Sequence, residues 1–240
     1  MTGNRGTARA ARTALIGALL FAAIGLAAPA LAQNTAPGRP DVPALMRQLA
    51  EHGDAGAQFN LGVIYDQGIG VAQSYAEAAK WFRMAAEQGD ADAETNLGIM
   101  YFLGQGVAQD DSEAVTWWLL AAARGHAGAQ NDLGAMYTQG RGVANDDREA
   151  VRWYAQAANQ GHVIAQFNLG EMYNVGRGIA KDQVRALQWF KLAAANGHKD
   201  AAQHIRELTA QLPADAIAEA DRLTQEWRVL HQRPSTGRAI

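Results

Sequence analysis

Residues 91–125 read ADAETNLGIMYFLGQGVAQDDSEAVTWWLLAAARG, and the landmarks of this stretch return at a fixed step of 36 residues. Leu97-Gly98 has counterparts at Leu61-Gly62, Leu133-Gly134 and Leu169-Gly170, and three residues after each glycine stands a tyrosine: Tyr65, Tyr101, Tyr137, Tyr173. A Gly-x-Gly turn follows in each copy (Gly68/Gly70, Gly104/Gly106, Gly140/Gly142, Gly176/Gly178), then a tryptophan (Trp81, Trp117, Trp153, Trp189). An Ala-Ala pair and a closing glycine (Gly89, Gly125, Gly161, Gly197) end the unit. Copies in register at such a period specify a stacked array of like units rather than one closed globule.

Each unit predicts two helices. Ala93, Leu97, Met100 and Tyr101 fall three and four apart and share one face of the first. Gly98 lies beside that face, where glycine costs about 1 kcal/mol against alanine, so its return implies close approach of another backbone. The Gly104/Gly106 pair then ends the helix with residues that accept positive φ, which makes it a turn and not a phosphate cradle. Ser74 with Glu77, Asp110 with Glu113 and Asp146 with Glu149 match the reciprocal capping box at the start of the second helix, while Asp182 is followed by Arg185 and keeps only the cap. Small Ala121 four residues from Trp117 suits interlocked helices.

The pattern Ala-x-Ala-x-x-x-Leu-Gly-x-x-Tyr-x-x-Gly-x-Gly-Val-x-x-Asp, then Ala-x-x-Trp-x-x-x-Ala-Ala-x-x-Gly, resembles the Sel1-like repeat, a relative of the tetratricopeptide repeat. The resemblance covers full copies at 55–90, 91–126, 127–162 and 163–198, inside an array spanning 44–210 with half repeats at both ends. It implies an all-α fold, an α/α solenoid or superhelix of helix-turn-helix units, and an adaptor or regulatory function rather than catalysis. Cysteine-rich relatives are associated with β-lactam binding or hydrolysis; with Cys 0 that activity is not carried over.

Outside the array, Arg5, Arg9 and Arg12 precede an uncharged stretch from Thr13 to Ala32 that ends in Ala30-Leu31-Ala32. This predicts a secretory signal peptide over residues 1–32 cleaved after Ala32, and a periplasmic or secreted mature protein that meets the membrane only transiently; a retained membrane anchor is the alternative. Residues 33–43, rich in proline and glycine, read as a linker. Pro213 opens a last helix, within 211–231, whose Ile217, Ala220, Leu223, Trp227 and Leu230 form an apolar stripe, either a cap on the array or a partner-binding helix. Residues 232–240 read as a flexible tail.

Composition narrows the function. Without residues 1–32 the chain carries 18 basic and 24 acidic side chains, a net charge near −6, which argues against nucleic acid. His126, His162 and His198 recur one per unit just after the closing glycine, roughly 20 Å apart on helix-packing distances, too far to share a metal. Asp110-Asp111 and Asp146-Asp147 read as caps and first-turn acids complementing the helix dipole. No nucleophile elbow, zinc-protease motif or Walker loop is present. The sequence therefore predicts no enzyme, no cofactor, no metal and no catalytic residues.

A binding surface is expected where the copies differ. The first-helix positions two before the Leu, two after it and five after it form one stripe: Phe59, Val63 and Asp66; Thr95, Ile99 and Phe102; Asn131, Ala135 and Thr138; Phe167, Glu171 and Asn174. The resemblance implies that this stripe lines a concave groove, so it is the candidate site for a protein or peptide partner. Its aromatic members either mark an interaction patch or pack against neighbouring helices. Asn60, Asn96, Asp132 and Asn168 keep one chemical type and predict a repeated structural hydrogen bond. The function so read is an interaction scaffold or adaptor in the bacterial cell envelope. A periplasmic regulator of a membrane sensor or secretion system is the alternative, and a cell-wall-directed or β-lactamase-like hydrolase a weaker one.

Overall fold

The computed structural model describes residues 42–231, which form eleven helices and no strand among the described residues. The predicted signal peptide, nearly all of the linker and the tail lie outside them. A half repeat, α1 (Val42–Glu51), comes first and takes in the last two residues assigned to the linker. Pro43 fits there because the first helical turn leaves its N–H groups unused. Four pairs follow: α2 (Ala55–Gln67) with α3 (Tyr75–Glu87), α4 (Ala91–Leu103) with α5 (Asp111–Ala123), α6 (Ala127–Gln139) with α7 (Asp147–Asn159), and α8 (Val163–Val175) with α9 (Gln183–Ala195). From α1 to α10 each helix packs on its sequence neighbours, so the array is an α/α solenoid. It closes with α10 (Ala201–Gln211) and α11 (Ala214–His231), the latter packed on α9.

Glycine sets the pitch in two ways. Gly68, Gly104, Gly140 and Gly176 end the first helices at φ between 66° and 73°, and their N–H groups bond back to the carbonyls four residues earlier. In the second to fourth units the second glycine of the turn presses on the preceding unit: a Cβ on Gly106, Gly142 or Gly178 would lie 2.1–2.2 Å from the carbonyl oxygen of Tyr75, Asp111 or Asp147. The glycine after each Leu has a different cause from the one expected. A Cβ on Gly62, Gly98 or Gly134 would stand 2.6 Å from the ring of Phe82, Trp118 or Tyr154, and one on Gly170 would stand 2.8 Å from Phe190. The close neighbour is an aromatic side chain of the unit's own second helix, not a backbone.

Capping is also simpler than the reciprocal box. Ser74, Asp110, Asp146 and Asp182 accept from N–H groups of the first turn as expected. Their own N–H groups, however, donate to the carbonyls of Tyr65, Tyr101, Tyr137 and Tyr173 at 2.9–3.0 Å. That bond spans the Gly-x-Gly turn and fixes the angle between the paired helices, leaving the third-residue glutamate no amide to bind. The acids after two of the caps tie units together: Arg141 holds Asp111 through two 2.8 Å bonds, and Arg177 holds Asp147 at 2.7 Å.

A buried polar row runs through the same joints. Gln58, Gln130 and Gln166 donate to the carbonyls of Ala50, Ala122 and Ala158, and their side-chain oxygens accept from Gln88, Gln160 and Asn196 at 2.7–3.1 Å. The second unit replaces Gln-Gln by an ion pair, Glu94 with Arg124 at 3.1 Å, the carboxylate being 1% exposed.

Candidate functional site

The candidate stripe lies on the first helices, and none of its residues is fully exposed. Phe59 packs on Phe82 with centroids 5.7 Å apart, and Val63 joins the same cluster. Phe102 is 7% exposed, 5.8 Å from Trp118, with the Arg141 guanidinium 4.2 Å over its ring. Phe167 lies 5.4 Å from Phe190 and stacks at 4.1 Å on His198. Of the two readings of these phenylalanines, packing within the scaffold is the one observed. Sequence periodicity placed them on the right face; the reach of the aromatic column at 82, 118, 154 and 190 over that face decided their burial.

The polar members are anchored as well. Thr95 Oγ1 donates to the Ala91 carbonyl and meets His126 Nδ1 at 3.0 Å. Thr138 Oγ1 donates to the Gly134 carbonyl, while its own carbonyl accepts from Arg177. Asn131 is 8% exposed, donating to Asp132 and accepting from Asn168, each at 3.2 Å. Glu171 Oε1 lies 3.2 Å from His204 Nδ1; burial raises its carboxyl pKa, with His204 opposing and Glu207 reinforcing the rise. Asp66, raised by burial, with Ile99, Ala135 and Asn174, is half-buried and completes the stripe.

The expected ladder along Asn60, Asn96, Asp132 and Asn168 does not form. Asn96 donates to the Asp92 carbonyl of its own helix, Asn168 crosses to Asn131 of the preceding unit, Asp132 accepts from Asn131, and Asn60 is exposed. One residue type is thus used in different ways, which removes the architectural reason for setting this row apart from the stripe. Burial pushes the Asp132 carboxyl up to about 7, against the lowering effect of the Asn131 bond. Folded Asp132 holds its proton where the unfolded carboxylate has lost it, so its cost grows as pH rises from about 4 to above 7. Asp132→Asn, the residue of the other units, is expected to raise stability by about 1–3 kcal/mol at pH 8 and little at pH 4. Urea denaturation at the two pH values measures the difference.

His126 and His162 start α6 and α8 as N-caps, Nδ1 accepting from Ala129 N at 3.1 Å and Ala165 N at 3.3 Å. Asp54 and Asp90 occupy the same column and make the same bond. An imidazole caps only while Nδ1 is unprotonated. Burial, then the nearby His126, lowers the pKa of His162, so the unfolded chain binds this proton more readily and stability falls as pH drops through about 6.5 towards the lowered value. His162→Asn keeps a capping oxygen that does not titrate. Melting curves at pH 7.5 and 5.5 should show a smaller acid-induced loss for this variant than for the wild type. His198 does not cap α10, whose N-cap position is Asp200, without a side-chain bond.

The sequence profile of the Sel1 repeat matches residues 55–90, 91–126, 127–162 and 163–198, the boundaries drawn by the turns and caps above. The Sel1 repeat protein from Oxalobacter formigenes is 37% identical, with TM-score 0.67, over 80% of this chain and 78% of its own. The protein c5321, a protective antigen of uropathogenic Escherichia coli with the SLR fold, is 30% identical, with TM-score 0.53, over 82% of this chain and 52% of its own. No curated protein matches. Repeat boundaries, glycine turns and solenoid packing agree with these matches: the chain belongs to the Sel1 repeat family.

Proposed function

We propose that this chain is exported and works in the bacterial cell envelope as a scaffold, holding a protein or peptide partner against the first-helix face of its array. Sel1 repeat proteins typically mediate protein–protein interaction. Export is supported by Arg5, Arg9 and Arg12 before the uncharged stretch that ends in Ala30-Leu31-Ala32.

The observation that carries the partner reading is the contrast along the first-helix face. Equivalent positions sit on a backbone held in one register by the glycine turns, yet they change from Phe59 and Val63 in the first unit to Thr95 and Ile99, then Asn131 and Ala135, then Phe167 and Glu171. A fixed scaffold whose side-chain chemistry varies from unit to unit suits recognition of an extended partner, since little ordering is left to be done on binding.

Affinity capture from envelope extract tests this with Ile99→Asp and Glu171→Arg, both at half-buried positions. Phe102→Asp would report on folding instead. Loss of the same captured protein with both variants, at unchanged helical circular dichroism, is the expected result. Capture unchanged in both removes the partner from this face. Export is checked separately by following the size and compartment of a tagged chain, and an uncleaved product in the cytoplasm overturns it.

A further inference from the structure

The outward faces of the four second helices point to a second binding surface. At one pair of positions they read Arg83-Met84 on α3, Leu119-Leu120 on α5, Ala155-Gln156 on α7 and Lys191-Leu192 on α9. On α9 the row is covered by α11. Leu192 is 1% exposed, Lys191 Nζ pairs with Asp221, Gln188 Nε2 donates to the Leu223 carbonyl at 3.2 Å, and Trp227 meets Trp189 edge-on at 6.3 Å.

The α5 row is the more apolar of the two, with Leu119 38% and Leu120 43% exposed. It is flanked in register by Lys80 and Arg83 one unit before and, one unit after, by Arg152, which pairs with Glu149 at 2.6 Å. Among the described residues Lys80 and Arg83 have no carboxylate partner: Lys80 sits 5.5 Å over the Trp81 ring and Arg83 donates to the Tyr101 hydroxyl. The helix that covers α9 has the complementary pattern, Leu223 and Trp227 as a ridge with Asp221 beside it reaching Lys191, while Glu219 and Glu226 flank the ridge and pair with Arg222 of the same helix.

We propose that the outer row of α5 docks an amphipathic helix of a partner protein, one with a leucine or aromatic ridge and an acidic shoulder, seated on Leu119 and Leu120 as α11 sits on α9. The docking resembles helix-in-groove recognition, with apolar anchors at helical spacing and charges setting orientation. This surface is separate from the first-helix face and does not rest on it.

The test uses the full chain and, as probe, a fluorescent peptide of residues 213–231, which has the required chemistry. Saturable binding is expected, weakened about tenfold by Leu119→Ala/Leu120→Gln, because two anchor side chains are lost at one docking face. That double substitution installs the α7 pair, so the fold is kept. A peptide carrying Glu219→Gln, Asp221→Asn and Glu226→Gln should bind more weakly than the native peptide, and the gap should narrow in high salt. Binding untouched by the α5 substitution means that the peptide has displaced α11 from α9, and the proposal fails. No saturable binding up to about 1 mM, weaker than a useful docking site, overturns it too. Self-association abolished by the same substitution makes a second copy the occupant and rules out the partner helix.

Discussion

Arg124→Ala is expected to destabilise the fold by about 3 kcal/mol, the low end for an uncompensated buried charge, because the guanidinium itself is half exposed and water can partly replace it. Glu94 is the reason. Its carboxylate is 1% exposed in the joint between the two helices of its unit, and Arg124 Nε lies 3.1 and 3.3 Å from its two oxygens. The same joint elsewhere holds two glutamines, Gln58 with Gln88 and Gln130 with Gln160, each at 2.7 Å. Glu94→Gln/Arg124→Gln should therefore recover most of the loss, since a neutral pair needs no countercharge and the site already accommodates it in other units. A double-mutant cycle by urea denaturation measures this, and additive losses would mean that the pair is not coupled.

The second large effect concerns Gly98. By helix propensity Gly98→Ala should stabilise α4 by about 1 kcal/mol. Packing reverses the sign. The new Cβ would stand 2.6 Å from Trp118 Nε1 and 2.7 Å from Cδ1, on a ring that is 2% exposed and donates to the Thr95 carbonyl at 3.2 Å. Moving the ring breaks that buried bond and crowds the core, each worth about 1–3 kcal/mol, so a net loss of about 3 kcal/mol is expected. Trp118→Ala removes the ring instead and should cost about 3–5 kcal/mol. With Trp118→Leu already present, the alanine at position 98 should cost much less than it does alone. Thermal melts of the single and double variants decide it; an equal cost with and without the indole would mean that some other neighbour sets the glycine.

Why the solenoid could be read from sequence and the joints could not follows from the range of the forces involved. Gly104 ends a helix and Asp110 starts one through bonds made within a few residues, so their chemistry is visible locally and the period multiplies it. The glutamine row joins residues 30 apart, and in one unit Gln-Gln becomes Glu-Arg, which hides the pairing unless the four copies are compared with each other. Glu94 and Arg124 depart from the pattern in the same copy, and that coincidence was the available signal. The stripe was legible to the level of a face: spacing put Phe59, Phe102 and Phe167 on one side of the first helices. Whether a ring of the second helix extends over that side depends on tertiary distance, which spacing does not carry. The asparagine row misled for the opposite reason, since one side-chain type recurring along Asn60, Asn96 and Asn168 suggested one bond where the structure has different ones.

The claim that most needs testing is that the first-helix face of this array holds a partner in the cell. A photo-crosslinking residue placed at Ile99, half-buried on that face, can be compared in living cells with one placed at Asn159, exposed on the outer side of α7. The account predicts a discrete crosslinked adduct from position 99 and none from position 159. Adducts of equal yield from both positions, or none from position 99 while the protein is folded and exported, would contradict it.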